Sequence, residues 1–158
     1  MARELITDWS AYEAAISLLL GLASHKLCIF DDDLVRISLG SSRRLAGLSR
    51  LLKSSEPDSI KIALRNAEPF RRQQTHLIQF FAPYSHIITI QQIAPQISGL
   101  RDSMILVDDQ HALIRFDCEQ ARSKLLINEP DELRPYLKRF EEIWKEPGEI
   151  IGTTSLGL

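Results

Sequence analysis

Four arginines and a short acidic run carry most of the chemistry this chain can do. Arg65, Arg101, Arg115 and Arg122 are planar guanidinium forks, the side-chain type that grips phosphate or carboxylate at two points. Asp31, Asp32 and Asp33 are consecutive; one or two of these carboxylates could hold Mg²⁺, while a solvated turn needs the same residue types. Ser103 is a hydroxyl that becomes a nucleophile only with a base beside it, and His25 is the nearest histidine that chain order offers. His25, His76, His86 and His111 show neither i, i+4 nor His-x-His spacing, so no zinc site, and no other metal or cofactor, is expected. The chain has no G-x-G-x-x-G, no Walker loop and no G-x-S-x-G. Gly40-Ser41-Ser42 ahead of a helix is a weak anion-accepting signal. The candidate ligand set is Arg65, Arg101, Ser103, Arg115 and Arg122, with Asp31 and Asp33.

The elements that must position these residues follow from patterning. The 158 residues are 44% hydrophobic and 25% charged, which excludes a wholly disordered chain and suits one domain, expected over 1–148 with a mobile tail at 149–158. A net charge of -2 gives no indication of a strongly basic surface for bulk nucleic-acid binding and leaves room for a local basic patch. Cys28 and Cys118 are too few for a disulfide framework and read as reduced thiols. The most apolar stretch, 14–23, is well short of the roughly 20 residues a membrane span requires. The start, MARELITDWSAYEAA, lacks the form of a secretion signal, so a soluble cytoplasmic protein is expected.

A first helix begins at Asp8 or Ser10, either of which can cap it, and carries Trp9, Tyr12, Ile16, Leu19, Leu20 and Ala23 at helical spacing to about Ser24. Strands are expected at 26–30, 59–64, 86–91, 103–107, 111–116 and 124–127. A second helix follows Ser42, with Arg43 and Arg44 on an exposed face, and breaks at 54–58. A third runs from Glu68-Pro69 to Phe81, with Arg71 and Arg72 exposed. A last helix starts at Asn128-Glu129-Pro130 and stops at Pro147-Gly148. Strand–helix alternation in the first half requires parallel strands, and short connections in the second half permit antiparallel ones. The fold class is therefore α/β, a mixed, partly parallel sheet with helices on both faces.

This order predicts which residues meet. The parallel strands bring Asp31–Asp33 and Arg65 to one edge, where ligands in open α/β sheets bind. Strands that turn back and forth bring Arg101, Ser103, Arg115, Asp117 and Cys118 to the same edge. Asp108, Asp109 and His111 fall at the other edge, which separates the two acidic clusters. The arginines at the first edge then either form a cationic pocket or pair with Asp31–Asp33 and Asp117.

Residues 101–118, RDSMILVDDQHALIRFDC, resemble the HxKxxxxD region of the phospholipase D superfamily with its downstream turn. In that family a strand begins His-x-Lys, runs through four apolar residues to Asp, and a second strand leads to Gly-Ser-x-Asn. The late helix LRPYLKRFEEIWKE is similar to the helix that often ends such domains, and the order of elements agrees over most of the chain. The resemblance places the histidine at Arg101, the lysine at Ser103, the aspartate at Asp108, and Gly-Ser-x-Asn at Arg115, Phe116, Asp117 and Cys118. It is nearest to a small bacterial branch that lacks the catalytic motif. An arginine stays protonated and cannot form the family's phosphoenzyme, and a serine brings no charge to a phosphate.

The resemblance thus implies a phospholipase D-like domain without catalysis, acting as a binding or interaction module for an anionic or phosphate-containing ligand. A homodimer is implied by the family, whose sites are often built at a two-fold interface; Trp9, Tyr12 and the leucines of the first helix offer apolar surface. Two alternatives are a nucleic-acid-binding accessory, and a phosphodiesterase rebuilt around Asp31, Asp33 and Arg101.

Overall fold

The computed structural model describes residues 2–53, 56–97, 99–146 and 148–151. In chain order the elements are β1 (Ala2–Ile6), α1 (Trp9–Leu22), β2 (Leu27–Asp31), α2 (Ser42–Leu52), β3 (Ile60–Leu64), α3 (Glu68–Gln73), α4 (Thr75–Phe81), β4 (Ile88–Gln92), β5 (Ser103–Val107), β6 (His111–Arg115), β7 (Ser123–Ile127), α5 (Pro130–Lys145) and β8 (Glu149–Ile151). The eight strands form one sheet in the order β1-β7-β6-β5-β2-β3-β4-β8. β2, β3 and β4 are parallel, and the remaining pairings are antiparallel. The mixed sheet expected from the sequence is the sheet observed.

The central strands read as unbroken apolar runs because both faces are covered. Ile29, Ile62, Ile105 and Leu113 pack under α1 to α4. Their chain neighbours Cys28, Phe30, Ala63, Met104, Leu106 and Ile114 pack under α5. Side chains alternate along a strand, so Asp31, Ser103 and Arg115 share the α1 face with Ile29, Ile105 and Leu113.

Several elements differ from the sequence reading. β1 was not expected, because its first four residues are exposed and carry no apolar run. Glu149–Ile151, expected as the start of a tail, pairs with β4 as β8, while residues 152–158 lie outside the described residues. So do Ser54 and Ser55 of the breaker and Pro147 of the last helix stop. The single helix expected over 68–81 is two, broken where Gln74 leaves helical geometry at φ -123, ψ 43. Asp8, not Ser10, caps α1 by accepting from Ala11 N–H at 2.8 Å.

Arg44 is not on an exposed face. It is buried, with Nη2 donating to Glu13 O at 3.1 Å and Nη1 to Ile37 O, which ties α2 to α1 and to the segment after β2. The apolar stripe of α1 is likewise consumed inside the fold: Tyr12, Leu19 and Leu20 are buried and Trp9 is half-buried, so Leu18 and Leu22 are what α1 leaves exposed. No helix among the described residues is long and apolar enough to cross a membrane.

Candidate functional site at the carboxyl edge of the sheet

Three strands place one polar row at the carboxyl edge of the parallel strands. Ser103 and Arg115 are direct partners in the β5–β6 ladder, and Asp31 stands one step beyond the Phe30–Met104 pairing of β2 with β5. Arg115 Nη2 donates to Asp31 Oδ1 at 2.9 Å and to Ser103 Oγ at 3.2 Å. Ser103 Oγ is bonded to Asp31 Oδ1 and lies 3.1 Å from Phe30 O. Asp31 Oδ2 accepts from Leu34 N–H at 2.9 Å, which pins a left-handed turn where Leu34 has φ 69. The triad is buried: Asp31 is 0% exposed and Arg115 and Ser103 are each 1%.

Arg115 is stabilised as a cation by two rings of α1, with its guanidinium 5.0 Å from the Tyr12 centroid and 5.4 Å from that of Trp9. Burial pushes the Tyr12 hydroxyl up to about 12 despite the nearby Arg115, so Tyr12 stays neutral. Two guanidinium nitrogens of Arg115, Nε and Nη1, are buried without a hydrogen-bond partner among the described residues. Each such orphan costs about 1–3 kcal/mol.

Arg115 forms part of a cleft of about 430 Å³ between α1, the segment after β2 and the segment after β6. Glu13, Asp32, Asp33, Val35, Arg36, Ser38 and Cys118 complete its lining. Arg36 also lies over the Trp9 ring, its guanidinium 3.9 Å from the centroid. Asp33 Oδ1 accepts from Val35 N–H at 3.0 Å, and burial, helped by Asp32 and Asp31, holds its carboxyl above the usual range.

The remaining expected residues sit at this edge but do not converge on one pocket. Arg101 is exposed and makes a two-point contact with Asp117, Nε–Oδ2 2.9 Å and Nη2–Oδ1 3.1 Å. That fork, with the Glu119 N–H, holds Asp117 down to about 2. The Arg65 side chain is 5% exposed, with Nε 3.5 Å from the Asp32 carboxylate and Nη1 donating to Asp102 O at 2.6 Å; its Nη2 has no partner among the described residues. Asp102 is held in turn by Arg139 at 2.7 and 3.0 Å. Arg122 is exposed, and its carbonyl accepts from Phe116 N–H at 3.2 Å. The open cationic pocket drawn from Arg101, Arg115 and Arg122 is therefore not what the fold builds: Arg101 and Arg115 are each taken by their own aspartate, the ion-paired arrangement.

Asp108 lies at the opposite edge, as chain order requires. With φ 54, followed by Asp109 at φ 56, it forms the tight β5–β6 turn, a backbone shape that Asp tolerates well. Its carboxylate accepts from the N–H groups of His25 and Lys26, both at 2.8 Å, and from Ser24 N–H and Oγ, both at 3.0 Å. Burial alone would raise this carboxyl, but those donors outweigh it and hold it below the ordinary range. His25 is thus on the far edge from Ser103 and cannot serve it as a base. His111 accepts from Asn128 N–H through Nδ1 at 3.0 Å, and burial lowers its pKa, in keeping with a neutral acceptor. Among the described residues no group of three His, Cys, Asp or Glu could hold a metal ion.

Trp9, Tyr12, Glu13, Arg36 and Cys118 were not singled out as site residues from sequence. Tyr12 reads as a core position of an amphipathic helix, and nothing local shows that its ring meets a cation from a strand about a hundred residues on.

Solved structures share this sheet and its helices. TrmBL2, an archaeal chromatin protein whose structure shows a novel mode of DNA binding, is 14% identical with TM-score 0.68 over 94% of this chain and 54% of that one. This chain thus spans about half of that protein. Nuc from Salmonella typhimurium, a phospholipase D family member, is 13% identical with TM-score 0.65 over 96% of this chain and 98% of that one. NucT from Helicobacter pylori is 8% identical with TM-score 0.56 over 94% and 98%. The fold is phospholipase D-like. No curated protein matches this sequence. A family model does, over residues 8–151, and the chain belongs to that family, described as a domain of unknown function (DUF7931).

Proposed function

We propose that this chain is a phospholipase D-fold module that has given up phosphodiester chemistry and serves in binding. The carrying observation is the buried Asp31–Ser103–Arg115 row. Ser103 stands where the motif resemblance has lysine, and Arg115 stands where it has glycine. A glycine leaves space above the strand; Arg115 fills that space and spends Nη2 on Asp31 and Ser103. Arg101, at the histidine position, is a fixed cation clasped by Asp117, and its ionised partner raises its pKa further. The Arg101 and Arg115 guanidinium groups offer no lone pair to a phosphorus atom, and the Ser103 hydroxyl is buried and engaged by Phe30 O, Asp31 and Arg115. A phosphodiesterase rebuilt around Asp31, Asp33 and Arg101 is disfavoured on the same ground, since Asp31 is wholly buried and committed.

The test is turnover of bis(p-nitrophenyl) phosphate and of single-stranded DNA, with and without Mg²⁺. The rate is expected to equal the buffer rate. Turnover, or a trapped phosphoryl-enzyme, would overturn the reading.

The likeness to an archaeal chromatin protein favours nucleic-acid binding as a second reading. Against it stand the net charge of -2 and the pairing of Arg65, Arg101 and Arg115 with aspartates. Electrostatic binding to a phosphate backbone weakens steeply with salt. An affinity for DNA that falls between low and moderate salt would establish this reading; its absence would remove it.

A further inference from the structure

We infer that the cleft beside Arg115 binds a small zwitterion of the free amino acid type, one carboxylate and one ammonium on a short carbon frame. The inference rests on the reading that this edge no longer cleaves phosphodiesters. Its starting point is Arg115, 1% exposed, part of the cleft wall, with Nε and Nη1 lacking an acceptor among the described residues. The rings of Trp9 and Tyr12 stabilise its charge through their faces but present no lone pair to those N–H groups. Both nitrogens are covered as the side chain stands, so an acceptor oxygen in the cleft completes them as Arg115 shifts toward the cleft wall of which it is already part.

Charge selects what carries that oxygen. Asp31 already neutralises Arg115, so the wall adds hydrogen-bond donors there but little net positive field. Around it stand Glu13, Asp32 and Asp33 against one further cation, Arg36. A phosphate dianion would be set among three carboxylates. A simple amine would satisfy the carboxylates and leave Arg115 as it was. A molecule with both signs answers both: its carboxylate lies toward Arg115 and Arg36, its ammonium toward Asp33 and Glu13. The volume, about 430 Å³, is at the small end of the roughly 300–1,000 Å³ typical of small-molecule sites.

The experiment is calorimetric titration of the full chain with each common free amino acid, and with acetate, ethylammonium and inorganic phosphate as single-sign probes. At least one amino acid is expected to bind about tenfold or more tightly than any of the three probes. Arg36→Gln and Asp33→Asn change cleft residues on the segment after β2; each is expected to weaken that binding about tenfold or more with the melting temperature unchanged. Failure of every amino acid to bind at millimolar concentration, tighter binding of phosphate, or unchanged affinity in both variants would overturn the inference. An inert protein that binds no amino acid removes this inference and leaves the loss of phosphodiester chemistry standing. Phosphodiester turnover removes both.

Discussion

Asp31 and Arg115 are taken out of water together, and each charge depends on the other. Removing one partner of a buried pair strands the second, at a cost of about 3–5 kcal/mol, whereas apolar replacement of both can be close to neutral. Arg115→Met alone is therefore expected to lower unfolding free energy by about that amount in urea titration, while Arg115→Met with Asp31→Leu recovers much of it. A double variant no more stable than the single would show that the row is not an interdependent pair. At this scale the sequence was informative about place and offered pairing with Asp31–Asp33 and Asp117 as one alternative, without saying which arginine takes which aspartate. Chain order put Asp31, Ser103, Arg115 and Arg101 at one edge and Asp108 at the other, because strand polarity depends only on connection length. Which arginine meets which aspartate depends on register and on side-chain direction. The ring contacts of Trp9 and Tyr12 with Arg115 join a helix to a strand far along the chain.

The same contrast holds among elements. β2, β5 and β6 were legible because burial on both faces demands near-continuous apolar residues, and β3 and β4 because their β-branched and apolar residues stand between turn signals. β1 was not, since a strand paired on one side with exposed side chains resembles any polar segment. β8 is three residues long, too short to carry a pattern. The crossing of α1 on α2 makes a sharper point about two glycines. A Cβ at Gly47 would come within 3.0 Å of the Leu20 carbonyl oxygen, while one at Gly21 meets nothing within 4 Å. Both lie inside helices, where glycine is about 0.5–1 kcal/mol worse than alanine. Gly21→Ala should thus stabilise by about 0.5–1 kcal/mol. Gly47→Val should destabilise by about 1–3 kcal/mol, since neither helix backbone can give way without opening the core. Thermal melts of the two variants side by side decide it, and a stabilised Gly47→Val would show that the helices are not in firm contact.

Across the whole molecule, β1 and β8 are the outer strands of the sheet among the described residues. Each pairs with one neighbour among the described residues, and Leu5 and Ile150 on them are 57% and 62% exposed. We propose that the chain works as a homodimer. The expected surface on α1 is spent on the core, so the sheet rims are where a second copy would add. Light scattering in solution is expected to return twice the 18.0 kDa of one chain. A single species at 18.0 kDa would reject the dimer.

The cross-strand opposition of Ser103 and Arg115 reaches further than stability. A lysine placed at 103 would set a second cation against the guanidinium opposite, and a glycine placed at 115 would strand Asp31. Either change alone leaves a buried charge without its counterpart, so positions 31, 103 and 115 are one electrostatic unit in which the tolerance of each depends on what occupies the other two.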